Sequence, residues 1–238
     1  MAETTIKGSS LGAAIMGGVI GAVLTAAVMI FAAPQFLSTR IVRQGMLADP
    51  QILVDASDAL RDRQYAPTIA AARAALETPF GSSWKGAEKP NVVMVEFYDY
   101  ACPYCKASNP HVDQLLKEHP GLRVVYRELP ILGQSSVEAA RLSLAASKAG
   151  RFRQFHDALY APGRPARDTN AAAARVAKIS PSPAEDPAVE AELKRNFEMA
   201  GRLGATGTPL FVVGDRVLNG AVGYDALKDA VEAASKKS

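Results

Sequence analysis

The sequence predicts an α/β domain with a large helical insertion, and three observations lead to that prediction. Two short runs of β-branched and aromatic residues, 92–100 and 122–129, flank a segment with helical spacing, the pattern of two parallel strands joined by a crossover helix. Residues 135–203 then contain only helical patterns. Two further short strands surround Gly214-Asp215, a hairpin-turn sequence, before a last helix. The predicted order is β-α-β, a helical insertion, and β-β-α.

An uncharged segment precedes this domain. Residues 11–33 read LGAAIMGGVIGAVLTAAVMIFAA, and at about 1.5 Å per helical residue they can cross a hydrocarbon core of roughly 30 Å. We expect a transmembrane anchor here, with residues 1–10 in the cytoplasm. A cleaved signal peptide is the alternative, although its apolar region usually spans about 7–15 residues, and Pro34 disfavours cleavage after the alanines.

A helical stalk is predicted between the anchor and the domain, over residues 38–78. Asp49-Pro50 has the pattern of an N-cap followed by proline at the first helical position, and a second helix is expected to begin near Pro67. The stalk has a narrow apolar face, and the anchor has small residues four apart, a spacing that lets helices approach closely. These faces could pack in a homo-oligomer or on the chain's own domain, and the sequence leaves both open.

The domain itself is placed at residues 79–238. Residues 78–91, around its start, are rich in proline, glycine and serine and have no apolar period, which is typical of a linker or of the entry to a domain.

The net charge of the chain is a mild +3, which argues against nucleic acid as a partner because phosphate binding needs clustered lysine and arginine. Two cysteines are too few for a disulfide-stapled scaffold, but they suffice for one bond that opens and closes.

The two cysteines, Cys102 and Cys105, lie in the sequence Cys-Pro-Tyr-Cys where the first strand passes into a helix. Unpaired amides and the positive end of the helix dipole favour a thiolate at that position. Pro103 suits the first helical turn, where an amide is spare. The spacing predicts that Cys102 is the nucleophile and that Cys105, almost one turn later, displaces whatever Cys102 captures.

Two other interpretations of these cysteines are weaker. Two buried structural thiols would need the spacing and the strand-to-helix position to be accidental. A metal site would need two more ligands, and the candidates His111 and His119 give no common zinc spacing. We therefore predict neither a metal nor another cofactor, and we interpret His111 and His119 as surface residues and His156 as an ordinary residue of an amphipathic helix.

Two further positions fit a redox site. Thr208-Pro209 opens a strand expected beside the Cys-Pro-Tyr-Cys helix, and a cis bond there would leave the Thr208 backbone free to pair with an extended substrate. Glu96 is a carboxylate inside an apolar strand; if buried beneath the helix, it would have a raised pKa and could relay a proton to Cys105. The simpler interpretations are a routine loop proline and a glutamate exposed at a sheet edge.

The chain resembles the DsbA-like thiol–disulfide oxidoreductases, which have a thioredoxin fold with a helical insertion. The resemblance covers roughly residues 90–235, is carried by residues 95–106, 155–160 and 203–223, and is nearest the ScsC-like branch. It implies that Cys102 attacks, Cys105 resolves, Pro209 is cis and Glu96 assists proton transfer.

This chain departs from the strongly oxidising members of the family at two positions, one in the motif and one before the expected cis-proline. Those members have histidine where Tyr104 stands, and valine where Thr208 stands. The resemblance therefore implies a milder oxidant, an isomerase or a reductase, and Pro103 and Tyr104 are the positions expected to tune the redox potential.

The expected function is dithiol–disulfide exchange on unfolded or misoxidised secreted proteins, with a membrane redox partner that resets the cysteine pair. Because such chemistry needs an oxidising compartment, we expect a single-pass inner-membrane protein with its C-terminal domain in the periplasm, or a soluble periplasmic protein if the leader is cleaved. Two alternatives stay open: a reductase dedicated to one client, such as an apocytochrome or a metal-handling protein, and a membrane-tethered chaperone or assembly module with incidental thiols.

Overall fold

The computed structural model describes residues 26, 33–161, 163–182 and 185–236. Chain contacts divide the protein into two compact units, Met1–Ala59 and Leu60–Ser238. Of the predicted anchor, only Ala26 and Ala33 fall within the described residues, so the rest of that prediction lies outside them. Among the helices of the described ranges, none is long and apolar enough to cross a membrane.

Two helices begin in the first unit. Helix α1 spans Ala33–Ala48, and helix α2 spans Gln51–Glu77, so that α2 ends within the second unit. The Asp49 side chain accepts a hydrogen bond from the Gln51 amide at 3.1 Å, which confirms the predicted N-cap. Several large apolar side chains of this unit are exposed, namely Ile41, Val42, Leu47, Ile52, Leu53 and Val54.

Helix α2 differs from the prediction at Pro67, where a new helix was expected. The helix instead runs through Pro67 without a break, although an interior proline removes one backbone hydrogen bond. Tyr65 before the proline and Ile69 after it pack against the same hydrophobic core. Tertiary packing on both sides of the proline therefore holds the helix together.

The described residues of the second unit form a five-stranded sheet of order β1-β3-β2-β4-β5. Strands β2 and β3 are parallel, and the other neighbouring pairs are antiparallel. The predicted crossover unit and the predicted hairpin are both confirmed. The strands are β1 Trp84–Gly86, β2 Val92–Tyr98, β3 Leu122–Glu128, β4 Leu210–Val213 and β5 Arg216–Asn219.

Helices cover the sheet and build the predicted insertion. Helix α3, Pro103–Glu118, joins β2 to β3, and helix α8, Gly223–Ser235, follows the hairpin. The insertion between β3 and β4 consists of α4 Gln134–Lys148, α5 Phe152–Tyr160, α6 Arg167–Val176 and α7 Pro187–Arg202. This is a thioredoxin-like α/β fold with a helical insertion, as the sequence predicted.

Strand β1 lies inside the segment that was predicted to be a linker. It pairs with β3 at the edge of the sheet, with Trp84 opposite Val125, and the Arg123 guanidinium stacks over the Trp84 ring at 4.6 Å. These partners are distant in sequence, so the proline-, glycine- and serine-rich composition around the strand gave no local sign of it.

The second compact unit begins at Leu60 rather than at residue 79, because the second half of the predicted stalk packs on the domain. Ile69 and Leu76 are buried in one cluster with sheet residues. The Arg127 guanidinium donates hydrogen bonds to the carbonyl oxygens of Leu76 at 3.0 Å and Thr78 at 2.6 Å, and so caps the C-terminal end of α2. The Arg127 side chain also forms a buried ion pair with Glu192 at 2.5 Å.

The two faces of β2 point into different cores. Met94 and Tyr98 belong to the cluster that contains residues of α3, α8 and the insertion. Val95 and Phe97 belong to the cluster that contains residues of α2. Side chains alternate along a strand, so Glu96 lies on the face covered by α3.

Candidate active site

The Cys-Pro-Tyr-Cys motif lies at the C-terminal end of β2. Cys102 is the N-cap of α3 and has an extended backbone conformation, and Pro103 occupies the first helical turn, as predicted. Pro103 and Tyr104 are exposed, with 63% of the Tyr104 surface accessible. The Tyr104 side chain is therefore open to solvent.

Asp99 fixes the turn that leads into the motif, a role that the sequence did not predict. One carboxylate oxygen accepts a hydrogen bond from the Ala101 amide at 2.7 Å. The other oxygen accepts from the amides of Ile131 and Leu132 at 2.8 and 2.9 Å. Asp99 thus ties the start of the motif to the loop after β3, and an aspartate before a helix was the available sequence signal.

Both thiols are reduced and largely buried, but they differ in their surroundings. Cys102 keeps 4% of its surface accessible, whereas Cys105 keeps none. The Cys102 thiol donates a hydrogen bond to the Thr208 carbonyl oxygen, with a sulfur–oxygen distance of 3.2 Å. Cys102 is therefore the more accessible of the two and its sulfur lies against the Thr208 backbone, whereas Cys105 is fully enclosed.

The surroundings of Cys102 lower the pKa of its thiol from the ordinary value to about 5. The largest cause is a hydrogen bond from the Cys105 thiol to the Cys102 sulfur. A hydrogen bond from the Thr208 side chain and the backbone amides of Cys105 and Tyr104 act in the same direction, against the effect of burial. Cys102 is consequently a thiolate at neutral pH, the nucleophilic form.

The pKa of the Cys105 thiol is shifted in the opposite direction, far above its ordinary value. Burial is the largest cause, followed by the hydrogen bond to Cys102 and the negative charge of Glu96. Cys105 therefore keeps its proton while Cys102 is anionic, and it can act as a nucleophile only when that proton is removed.

The Thr208–Pro209 peptide bond is cis, as the resemblance implied. Pro209 is followed directly by β4, whose Leu210 pairs with Phe97 of β2. The Pro209 carbonyl oxygen accepts a hydrogen bond from the Gly220 amide at 2.8 Å. These contacts hold the Thr208–Pro209 segment beside the motif, in the place predicted for it.

Glu96 is buried beneath the motif, with 1% of its surface accessible, and is not an exposed edge residue. One of its carboxylate oxygens, Oε2, has no hydrogen-bond partner. Burial raises the pKa of Glu96 to about 8, and the positive charge of Lys85 opposes that shift. Glu96 can therefore hold or accept a proton near neutral pH.

Lys85 lies near enough to this acid to act on its charge, and His156 is buried beside Asp157, the ion-pair partner of Lys85; the sequence did not predict either role. The Lys85 ammonium, largely buried on β1, forms an ion pair with Asp157 at 2.7 Å. His156 is not an ordinary amphipathic-helix residue, because it keeps only 2% of its surface. Burial lowers the pKa of His156 to about 4, so the ring is neutral, and it stacks on aromatic rings such as that of Tyr126, 4.8 Å away between centroids.

The described residues contain no group of three or more histidine, cysteine, aspartate or glutamate side chains that could hold a metal ion. His111 and His119 are both partly buried, and the His111 ring lies 6.4 Å from that of Tyr224, between centroids. The groups that the fold brings together at the motif are two thiols, a carboxyl group and the backbone of a cis-proline segment, and these are groups for thiol chemistry.

A family model described as DSBA-like thioredoxin domain matches residues 93–232. The chain belongs to that family. The family performs thiol–disulfide exchange, and the match spans β2, the motif, the insertion, the cis-proline segment and most of α8.

Many solved structures are similar to this chain, and two of them illustrate the likeness. A thioredoxin-like oxidoreductase from Silicibacter pomeroyi is 36% identical, with a TM-score of 0.64, over 70% of this chain and 99% of that one. ScsC from Proteus mirabilis, in a transitional conformation, is 28% identical, with a TM-score of 0.66, over 87% of this chain and 99% of that one. The second similarity confirms the expected relation to the ScsC-like branch.

One curated relative is named as an ion antiporter rather than as an oxidoreductase. Na(+)/H(+) antiporter NhaA 3 from Salinispora tropica is 32% identical over 161 residues, which are 63% of this chain and 24% of the antiporter. The chain thus spans about a quarter of the length of that relative.

Proposed function

We propose that this protein catalyses dithiol–disulfide exchange on secreted proteins, with Cys102 as the attacking sulfur and Cys105 as the resolving sulfur. One observation carries the proposal: the Cys102 sulfur lies at the start of α3, 3.2 Å from the Thr208 carbonyl oxygen, above a buried second thiol. The similarity to an antiporter does not extend the proposal to ion transport, because the match covers only part of that relative.

In the reducing direction, the Cys102 thiolate attacks one sulfur of a substrate disulfide. A bond forms between Cys102 and that sulfur, the substrate disulfide breaks, and the other substrate sulfur leaves as a thiolate. An extended substrate segment can pair with the backbone at Thr208, beside the reacting sulfur, as strand addition would require. The product of this step is a mixed disulfide between the enzyme and its substrate.

Cys105 then resolves the mixed disulfide. The mixed disulfide has removed the negative charge of Cys102, which is one of the causes that raise the Glu96 pKa, so Glu96 ionises more readily. The ionised Glu96 then accepts the proton of the Cys105 thiol, and the resulting thiolate attacks the Cys102 sulfur. The Cys102–Cys105 disulfide forms and the substrate leaves as a thiolate, so the substrate gains two electrons and the enzyme loses two. Oxidation of a substrate dithiol is the same sequence in reverse, and isomerisation is attack followed by release to another substrate thiol.

The pKa of Cys102 favours an intermediate redox potential. A lower thiolate pKa stabilises the reduced form and makes the disulfide more oxidising. The value of about 5 for Cys102 lies between about 7 for thioredoxin and about 3.5 for strongly oxidising DsbA. We therefore propose a mild oxidant or isomerase rather than a strong oxidant, in agreement with Tyr104 and Thr208 at the two tuning positions.

Substitution of Cys102 by serine tests the proposed function. The variant should lose both reduction of a substrate disulfide and repair of a misoxidised substrate protein, because serine cannot form the mixed disulfide. A Gln114→Ala variant, at an exposed position of the same helix more than two turns beyond Cys105, is the control and should stay active. Undiminished exchange by Cys102→Ser would refute the proposal.

For location, we propose a membrane anchor at residues 11–33 and a periplasmic catalytic domain. The support is the absence of charge from that segment and the need of this chemistry for an oxidising compartment. A membrane-impermeant thiol reagent should label Cys102 in intact cells whose outer membrane has been permeabilised. Protection of reduced Cys102 under those conditions would contradict a periplasmic domain.

We also propose that residues 38–59 contact a second copy of the chain. The support is the exposure of large apolar side chains there, including Ile41, Leu47 and Leu53, which a single soluble helix face rarely carries. Sedimentation should give an oligomer for the chain from residue 34 onwards. A Leu47→Glu/Leu53→Glu variant should be monomeric, and an equal mass for the two proteins would contradict the proposal.

A further inference from the structure

Helix α2 touches the segment that carries the cis-proline, and the contact is unusually close. The Tyr65 side chain lies so near the Gly204 backbone that a Cβ atom on Gly204 would be 1.9 Å from the Tyr65 hydroxyl oxygen and 2.6 Å from its Cζ. Contacts under about 3.0 Å are not tolerated by real Cβ atoms. The absence of a side chain at position 204 is what lets Tyr65 lie there.

Gly204 also determines where the cis-proline loop begins. It follows the last turn of α7 with a φ of +70°, and the Ala205 amide donates to the Ala200 carbonyl oxygen at 3.0 Å. A residue in this left-handed conformation, with such a bond, is a common helix C-terminal motif in which glycine is favoured. The chain then reaches Thr208 within four residues.

Two ion pairs, one before Tyr65 in the sequence of α2 and one after it, fix this helix to the rest of the domain. Asp62 forms an ion pair with Arg216 at 3.1 Å, and Arg73 forms one with Asp215 at 2.5 Å. Both partners belong to the β4–β5 hairpin, and β4 is the direct continuation of the cis-proline segment. The helix is thus fixed to the same element whose leading loop Tyr65 contacts.

We propose that Tyr65 is a positioning residue, which holds the loop 204–208 and thereby holds Thr208 against the Cys102 sulfur. The proposal rests on the proposed function and adds a residue from outside the matched family domain, since that match begins at residue 93. The physical reason is that hydrogen bonds weaken steeply when their geometry is lost. A loop without lateral support leaves Thr208 poorly fixed, although its backbone lies 3.2 Å from the Cys102 sulfur and its side chain supplies a hydrogen bond that stabilises the thiolate.

Replacement of Tyr65 tests this role through the titration of Cys102. In Tyr65→Ala, the pKa of Cys102, measured from thiolate ultraviolet absorbance, should rise by about half a unit or more, roughly a threefold change in the ionisation constant. The rate of mixed-disulfide formation with a small aromatic disulfide should change with it. Tyr65→Phe, which keeps the ring against the loop, should restore both values towards those of the wild type.

A matched control separates positioning from general packing. Leu76 lies on the same helix and is buried in the same cluster, far along the helix from the loop. Leu76→Ala should lower the midpoint of thermal unfolding and leave the pKa of Cys102 unchanged. If Leu76→Ala shifted the pKa of Cys102 as much as Tyr65→Ala, the effect would be one of general packing and the proposal would be overturned.

A double-mutant cycle tests the contact itself. Gly204→Ala should perturb the pKa of Cys102 strongly when Tyr65 is present, because the new Cβ would clash with the ring, and less in the Tyr65→Ala background, where the space is open. If the double variant shifted the pKa of Cys102 by the sum of the two single shifts, the two residues would act independently and the proposal would be overturned. A wild-type Cys102 with an ordinary pKa would instead overturn the proposed function, so the two failures are distinguishable.

Discussion

The two sulfurs of the motif lie almost one helical turn apart, and their surroundings shift the pKa values of the two thiols in opposite directions. Cys102 lies where β2 ends and α3 begins, and hydrogen-bond donors surround it. Cys105 lies beneath it with no accessible surface, near the carboxyl group of Glu96. The pKa of the first is lowered to about 5, and the pKa of the second is raised.

This difference shows how one residue type can serve two roles. The ordinary pKa of both thiols is the same, so the contrast comes from position. The Cys105 thiol, the Thr208 side chain and the first amides of the helix donate to the Cys102 sulfur, whereas burial removes water from Cys105. The order of events follows from the contrast, since only Cys102 is anionic before a substrate arrives. Substitutions on the two sides of this contrast should therefore have different consequences.

Removal of the resolving sulfur should have the largest effect. Cys105→Ala keeps the attacking sulfur, although it removes the hydrogen bond that lowers the Cys102 pKa most. The variant cannot release a captured substrate, so the mixed disulfide should accumulate from an undetectable level to nearly one substrate per enzyme molecule. Electrophoresis without reductant, followed by peptide mass analysis, measures it. A spectrum of many clients in cells would favour a general exchanger, and a single client would favour a dedicated reductase.

The variant Cys102→Ala/Cys105→Ala is the control for that trap, because it has no thiol. If Cys105→Ala accumulated no mixed disulfide with a substrate that the wild type reduces, Cys105 would not be the resolving residue.

The second largest effect should come from Glu96, whose buried carboxyl group makes the stability of the fold depend on pH. The pKa of Glu96 is about 8 in the fold, against an ordinary value of 4.5, so between those values the native state holds a proton that the unfolded chain releases. Stability should therefore fall as pH rises through this window, by about 1.4 kcal/mol for each unit of pKa difference. Glu96→Gln should remove that loss, as measured by denaturant unfolding from pH 5 to pH 8.

The measurement needs a background without thiols, because Cys102 contributes with the opposite sign. Its depressed pKa stabilises the reduced fold at high pH, and that contribution is lost as pH falls towards about 5. In Cys102→Ala/Cys105→Ala that contribution is absent, and the titration of His156 is common to both proteins and cancels. Parallel stability curves for this background with and without the Glu96→Gln substitution would show that the carboxyl group is not buried in its neutral form.

The smallest expected effect is that of the Thr208 hydroxyl. Thr208→Val removes one hydrogen bond to the Cys102 thiolate, and a net contribution of about 0.5–1.5 kcal/mol corresponds to a rise of up to about one unit in the pKa of Cys102. Thr206→Val, at an exposed position of the same loop, is the matched control and should cause no shift. Equal pKa values for Thr208→Val and the wild type would exclude a role for the hydroxyl.

The strands, the insertion and the motif were predictable because their signals are local. The spacing of Cys102 and Cys105, the Thr208-Pro209 dipeptide and the apolar runs of β2 and β3 each lie within a few residues. Glu96 was predictable for the same reason, since a carboxylate inside an apolar run stands out.

The features that the sequence did not predict depend on partners far away in the chain. Strand β1 forms because β3 offers an edge to Trp84, and α2 belongs to the domain because Arg127 caps its C-terminal end. Lys85 and His156 look like ordinary surface residues until the fold buries them. The contact of Tyr65 with Gly204 joins two segments whose local patterns are those of a stalk helix and a loop.

The titration of the thiolate in the reduced protein tests the central contrast most directly. The ultraviolet absorbance of the wild type should show one step with a midpoint near pH 5, assigned to Cys102 by its loss in Cys102→Ser, while Cys105 stays protonated throughout the neutral range. A single step at about pH 8.5, the value of a free cysteine, or two sulfurs that ionise together, would contradict the account.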